Sequence, residues 1–285
     1  GLCAAAEAAA AGAKVLILES DLHPGGQLVK QTHKFFGSKD EYAGTRGYKI
    51  ADILLDEIKG LGDKVEVRLN STVTGYYIED DLFTVMKGEE EYYRVKAKKA
   101  VIATGAQERM IPFPNNDLPG VYGAGAVQTL MNVYGVVPGK KVVMVGAGNI
   151  GLIVSYQLKQ AGVDIVAVVE AMPKVGGYWV HAAKIRRLGI PILLRHTVTK
   201  AVGDEYVEGA MIQELDENFK LIGEPKKYDC DIICMAVGLT PTTELFWQAE
   251  CEMKFVPQLC GYVPLRDKNM CTSNPKMYVA GDASG

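Results

Sequence analysis

One stretch constrains this chain more than any other. Val142-Val143-Met144-Val145 is an apolar run of buried-strand type, and it leads straight into Gly146-Ala147-Gly148-Asn149-Ile150-Gly151, a G-x-G-x-x-G turn. An amphipathic segment follows, then Ala161-Gly162, a second apolar run, and Glu170. Strand, glycine turn, helix, strand and acid in this order predict a dinucleotide-binding βαβ unit. The chain's first residues repeat the pattern from the third glycine onward. Gly1-Leu2 matches Gly151-Leu152, Ala11-Gly12 matches Ala161-Gly162, and Val15 to Leu18 ends in Glu19 as the later strand ends in Glu170. A glycine pair then follows each acid, Gly25-Gly26 and Gly176-Gly177. Two such folds in one chain imply two nucleotide cofactors.

The spacing has a chemical reason. Glycines at these positions permit a tight turn and let the backbone approach a pyrophosphate, which sits on the N–H groups and positive dipole end of the next helix. The acid that closes the following strand accepts hydrogen bonds from ribose hydroxyls. An isolated G-x-G-x-x-G is weak; here the preceding strand, the following helix, the acid in register and the partial repeat all agree.

Composition narrows the partners. With 285 residues, 48% hydrophobic and 23% charged, the chain has the make-up of an ordinary globular protein of one or two domains. A net charge of −3 leaves no basic stripe for nucleic acid. Leu2 to Leu18 carries Glu7 and Lys14 with no basic leader, so it does not read as a signal peptide. Val142 to Leu158 is uncharged, but its three spaced glycines argue for strand, turn and helix and against a membrane span. Six cysteines show neither C-x-x-C nor paired metal-ligand spacing, so the expectation is a reduced, cytoplasmic protein with no metal. Cys230 and Cys234, in or beside an apolar run, read as core.

Between the copies lie an expected helix over Tyr48 to Leu61 and strands over Val65–Leu69, Val73–Ile78 and Leu82–Lys87, a β-ribbon crossover inserted in the first fold. The insert returns at Ala100-Val101-Ile102-Ala103-Thr104-Gly105-Ala106, echoed later by Ile233 to Gly238. Residues 1–117 are expected to form the first part of one domain, 118–245 an inserted second domain, and 246–285, closing on Met277 to Ala280 and Gly281-Asp282, the return to the first. The fold class is α/β, with two Rossmann-like folds, one interrupting the other.

With these residues in hand, the chain resembles the two-dinucleotide-domain flavoproteins, the superfamily of glutathione reductase, thioredoxin reductase and NADH oxidase. Within it the likeness is nearer to the alpha-type subunits of sarcosine oxidase, opine oxidase, hydrogen cyanide synthase and archaeal proline dehydrogenase. The carrying motifs are Ala103 to Ala106 running into Pro112-Phe113-Pro114, Leu118-Pro119-Gly120-Val121, Gly123 to Leu130, and Gly281-Asp282. The resemblance implies FAD at the first fold, beside Gly1, Glu19, Gly25, Gly26, Gln27, Thr104, Gly105, Gly281 and Asp282. It implies NAD at the second, beside Gly146, Gly148, Asn149, Ile150, Gly151, Glu170 and Gly238. It also implies that a strand and two glycines precede Gly1, so that the chain is expected to be part of a longer protein.

The implied activity is hydride transfer between NADH and flavin, onward to a small-molecule or protein acceptor, with a second subunit of an amine or amino-acid dehydrogenase as a candidate partner. The cofactors carry the chemistry, and no catalytic side chain is assigned. His33 and Lys30 are expected at the surface. Two rivals remain: a disulfide reductase, which needs a cysteine pair near the flavin that the sequence does not supply, and a non-catalytic nucleotide-binding subunit.

Overall fold

The structure, a computed structural model, describes residues 1–35 and 38–285; Phe36 and Gly37, at the end of the polar aromatic stretch that begins at Gln31, lie outside the described residues. The chain divides into two compact units, one formed by Gly1–Gln107 with Leu239–Gly285 and the other by Glu108–Gly238. Both junctions fall earlier than the sequence suggests at 117/118 and 245/246.

In the first unit α1 (Leu2–Ala10) leads to β1 (Val15–Leu18), α2 (Gly47–Gly60), β2 (Val65–Arg68), β3 (Ser71–Tyr77), β4 (Leu82–Lys87), β5 (Glu91–Val95) and β6 (Ala100–Ile102). The helix and strands expected between Tyr48 and Lys87 are present within one or two residues. Expected strand 100–106 is shorter, because Thr104 and Gly105 turn away to bond Thr242. Strand β7 (Ala106–Glu108) ends this passage.

The second unit runs β8 (Val121–Gly123), α3 (Ala124–Asn132), β9 (Lys141–Val145), α4 (Asn149–Gln160), β10 (Asp164–Glu170), α5 (Trp179–Arg187), β11 (Ile192–Leu194), β12 (His196–Val202), β13 (Gly209–Leu215), β14 (Leu221–Tyr228) and β15 (Ile232–Met235). The chain then adds β16 (Leu239–Pro241), α6 (Glu244–Gln248), β17 (Met253–Val256), β18 (Gly261–Pro264) and β19 (Met277–Val279) to the first unit.

The second unit is built on a five-stranded parallel sheet ordered β11-β10-β9-β15-β8. Side chains alternate across it, as a period of two demands. Val142 and Met144 of β9 and Ile232 and Cys234 of β15 enter one core with Leu152, Val154 and Leu158 of α4. Val143, Val145, Ile233 and Met235 enter the opposite core with Val198, Ala210 and Ile212 from the ribbon. Residues Ile165 and Val168 of β10 share a face despite their odd separation, because a register shift lies between Ile165 and Ala167.

The first unit repeats this plan in pieces. Parallel pairs β1–β2 and β6–β19 correspond to β10–β11 and β15–β8. The antiparallel ribbon β3-β4-β5 corresponds to β12-β13-β14, a second crossover that the sequence pattern does not announce. Strand β9, which joins the outer pairs of the second unit into one sheet, has no counterpart among the described residues of the first. Helix α2 buries Ile50, Ala51, Leu54 and Ile58, the stripe of an amphipathic helix. Ala5 and Ala6 of α1 pack on Ile58, small residues allowing the two helices close approach. Among the described residues no helix is long and apolar enough to cross a membrane.

Candidate functional site

In the second unit the residues named from sequence converge on one turn. Gly146 leaves β9 at φ +105°, and its N–H donates to the carbonyl of Val169 at 2.7 Å. A Cβ here would collide with the Ala236 carbonyl oxygen, so only glycine fits. Gly151 is required for a different reason: a Cβ would run into the Gly146 carbonyl oxygen, so the first turn of α4 lies hard against the loop that precedes it. Gly148, the residue before α4, has no atom within 4 Å of where a Cβ would be. It is half-buried, with open space over its Cα at the N-terminus of α4.

Glu170 ends β10 beside this loop. One carboxylate oxygen accepts from the Ala147 N–H at 2.7 Å and the other from the Met172 N–H at 2.9 Å. The acid is half-buried and fixed, with lone pairs left over for hydroxyl donors. Asn149 accepts the Tyr178 N–H at 2.7 Å, and the Gly177 N–H donates to the Ala147 carbonyl at 2.9 Å, so segment 176–178 is tied across the loop. The Asn149 side chain is thus engaged within the protein. Ile150 is exposed, and Gly238, at φ +117°, follows β15 on the other side of β9.

In the first unit the same geometry recurs. The Gly1 carbonyl opens α1 by accepting the Ala5 N–H, and a Cβ on Gly1 would lie 3.4 Å from the Ala103 Cβ; one on Gly151 would lie 3.2 Å from that of Ala236. Glu19 accepts the Asp21 N–H at 3.1 Å, as Glu170 accepts that of Met172. Gly25 has φ +127° and touches Val29 and Ala51, while Gly26 and Gln27 begin a short 3-10 helix, with Gln27 exposed. The Thr104 hydroxyl donates to the Thr242 carbonyl at 2.7 Å, and the Thr242 N–H to that of Gly105 at 3.0 Å. Gly26, Gly105 and Gly281 all have positive φ and open space where a side chain would stand. Asp282 is exposed just after Gly281, which fits a residue that meets a ligand's hydroxyls. Open glycine turns and an acid held by backbone N–H are thus present on both units.

Expectation and structure part at His33 and Lys30. Both are half-buried, with His33 stacked on Phe35 at 5.4 Å. The six cysteines are free; Cys230, Cys234 and Cys251 are buried, and burial pushes the Cys230 thiol up to about 12 and Cys234 further in the same direction. Both are inert core groups at neutral pH. No group of three or more His, Cys, Asp or Glu among the described residues is placed to hold a metal.

Two residues carry no signal in the sequence. The Glu108 carboxylate accepts the N–H groups of Gly125, at 2.5 Å, and Ala126, at 3.2 Å, neutralising the positive end of α3. Gly123 admits it, since a Cβ would meet the carboxylate. This explains the glycine at 123. Arg109 packs on Gly238. Only distance in the chain hides these two, because their partners lie far from them in sequence.

A βαβ frame with its glycine turn and acid in the second unit, and the helix, strand and acid of the same plan in the first, define a protein of the two-dinucleotide oxidoreductase class. The chain belongs to the pyridine nucleotide-disulphide oxidoreductase family, whose model matches residues 1–285, and its class is that of FAD- and pyridine-nucleotide-using oxidoreductases. It is similar to the alpha chain of sarcosine oxidase from Corynebacterium sp. (strain P-1), 28% identical over 93% of this chain and 28% of the relative. It is also similar to one of the opine oxidase subunits of Agrobacterium tumefaciens (strain Ach5), 26% identical over 100% of this chain and 59% of that one. The chain therefore spans less than two thirds of the length of each of these relatives. Among solved structures, thioredoxin reductase of T. acidophilum superposes with a TM-score of 0.79 at 22% identity, covering 100% of this chain and 87% of that one.

Proposed function

We propose that this chain is the nucleotide-binding part of an FAD-dependent oxidoreductase that moves hydride between NAD(H) and flavin and passes the electrons to an acceptor or a partner protein. The observation that carries the reading is the duplicated geometry: an acid accepting the N–H two residues on, and a glycine packed on an alanine, at Glu19 and Gly1 and again at Glu170 and Gly151. FAD is assigned to the first unit, where Glu19 takes the adenosine ribose, Gly25, Gly26 and Gln27 line the flavin, Thr104 and Gly105 form the facing turn, and Asp282 meets the ribityl chain. NADH is assigned to the second, with its pyrophosphate on Gly146, Gly148 and Gly151 and its ribose on Glu170. Bound together, the cofactors supply the hydride chemistry, while the protein orients them and sets the local charge.

A fixed carboxylate at Glu170 favours NADH, because a 2′-phosphate beside it is opposed by like charge. An amine or amino-acid substrate is supported by the relatives' names, which are those of oxidase subunits. A dithiol route finds no support, since residues 4–229 contain no cysteine. The test is to release the cofactor from the purified protein and then to mix the protein anaerobically with NADH. FAD and bleaching of its colour are expected. FMN or no flavin overturns the first assignment; FAD that NADH does not bleach leaves a nucleotide-binding protein without the redox role.

A further inference from the structure

We propose that Arg109 is a ligand-binding residue of the second unit, holding through its guanidinium the nicotinamide-side phosphate of the dinucleotide while Glu170 holds the adenosine side. The proposal rests on the nucleotide reading of this unit given above and adds to it a residue that no glycine motif contains.

Position is the first argument. The Arg109 N–H donates to the Gly238 carbonyl at 3.0 Å, fixing the backbone at the turn that leaves β15. Its guanidinium lies flush on Gly238: a Cβ there would collide with one terminal nitrogen and stand 2.8 Å from the central carbon. Glycine at 238 therefore leaves room for the arginine, as well as permitting φ +117°. The same turn meets the nucleotide loop, since the Ala236 N–H donates to the Val145 carbonyl at 2.7 Å and Ala236 packs on Gly146 and Gly151.

Sheet order is the second. In β10-β9-β15, Glu170 ends the strand on one side of the glycine loop and Gly238 follows the strand on the other. A dinucleotide bound where the strand order reverses lies across that loop, so the half opposite Glu170 reaches the β15 side.

Charge is the third. The Arg109 Nε is buried and has no hydrogen-bond partner among the described residues. The Glu108 carboxylate, next to Arg109 in the chain, is directed to the N–H groups that open α3. A buried donor on an unneutralised guanidinium is costly unless an anion meets it, and the planar fork of arginine matches a phosphate.

The test is calorimetric titration of the full chain with AMP and with oxidised NAD, neither of which requires turnover. Arg109→Met, which keeps the stem and removes the charge, should weaken NAD by about tenfold or more and leave AMP within about twofold. Arg109→Lys should fall between, because an ammonium replaces charge without the fork. Glu170→Ala should weaken both ligands. NAD binding unchanged in Arg109→Met overturns the proposal. So does a loss of AMP equal to that of NAD, which would make Arg109 a prop for the turn. A wild-type chain that binds neither ligand removes the nucleotide reading of the unit, and the proposal with it.

Discussion

The two units share a plan except for β9, which only the second has among the described residues, and their strands are buried very differently. In the second, β9 is flanked by β10 and β15, and Val142, Val143, Met144, Ile232, Ile233, Cys234 and Met235 have no exposed surface at all. In the first, every residue of β1 is only half-buried, and of β6 only Ile102 is buried. A strand paired on both edges and covered on both faces concentrates apolar burial, at roughly 25 cal/mol for each square ångström removed from water. The acid at the strand end and the glycine packed on an alanine, by contrast, are alike in the two. Local turn chemistry thus sets where a nucleotide is met, and the sheet sets how firmly that turn is held.

The largest expected effect tests this difference in burial. Ile232→Ala, in β15, should destabilise the second unit by about 3 kcal/mol, whereas Ile17→Ala, in β1, should cost the first about 1 kcal/mol. Hydrogen exchange resolved by peptide reads each unit separately; equal losses would break the comparison. A smaller pair concerns the helix starts. Gly151→Ala forces a Cβ onto a carbonyl oxygen and should cost about 2 kcal/mol, while Gly1→Ala meets only a methyl at ordinary contact and should stay within about 0.5 kcal/mol. Denaturant midpoints decide it.

Much of this plan is legible in the sequence, and the failures are instructive. The helix near Tyr48 is readable because one face is apolar in the right period, and Leu82–Lys87 because it is a short apolar run between turn residues, buried from Leu82 to Val85. The ribbon β12–β14 is not, because β14, which contains Gly223, Pro225 and consecutive lysines, is exposed along nearly all its length and has no buried face to leave a pattern. Glu19 and Glu170 stand out because they sit at a fixed spacing from glycines. Glu108 and Arg109 do not, because each acts through a contact that only the fold creates.

The smallest effect is one of pH. His181 on α5 is buried and lies near Lys184; burial, then that charge, holds its pKa below the usual 6.5. The folded state therefore binds fewer protons than the unfolded one, and this contribution, present above pH 6.5, is lost as the pH falls below it. Exchange in α4 and α5 should quicken on mild acidification, and His181→Gln should reduce that response; an unchanged response removes His181 as its source.

The central claim is that one chain carries two separately addressed nucleotide sites, and a crossed experiment tests it. FAD content after purification and the ratio of kcat/KM for NADH over NADPH are measured in Glu19→Ala and Glu170→Ala. The expected result is that Glu19→Ala weakens FAD retention by at least about tenfold while the enzyme reconstituted with excess FAD keeps its NADH preference, and that Glu170→Ala keeps its FAD while the preference, about tenfold in the unaltered protein, collapses. If either substitution changes both quantities alike, or if the unaltered protein uses NADPH as well as NADH, the two acids do not have the separate roles given to them.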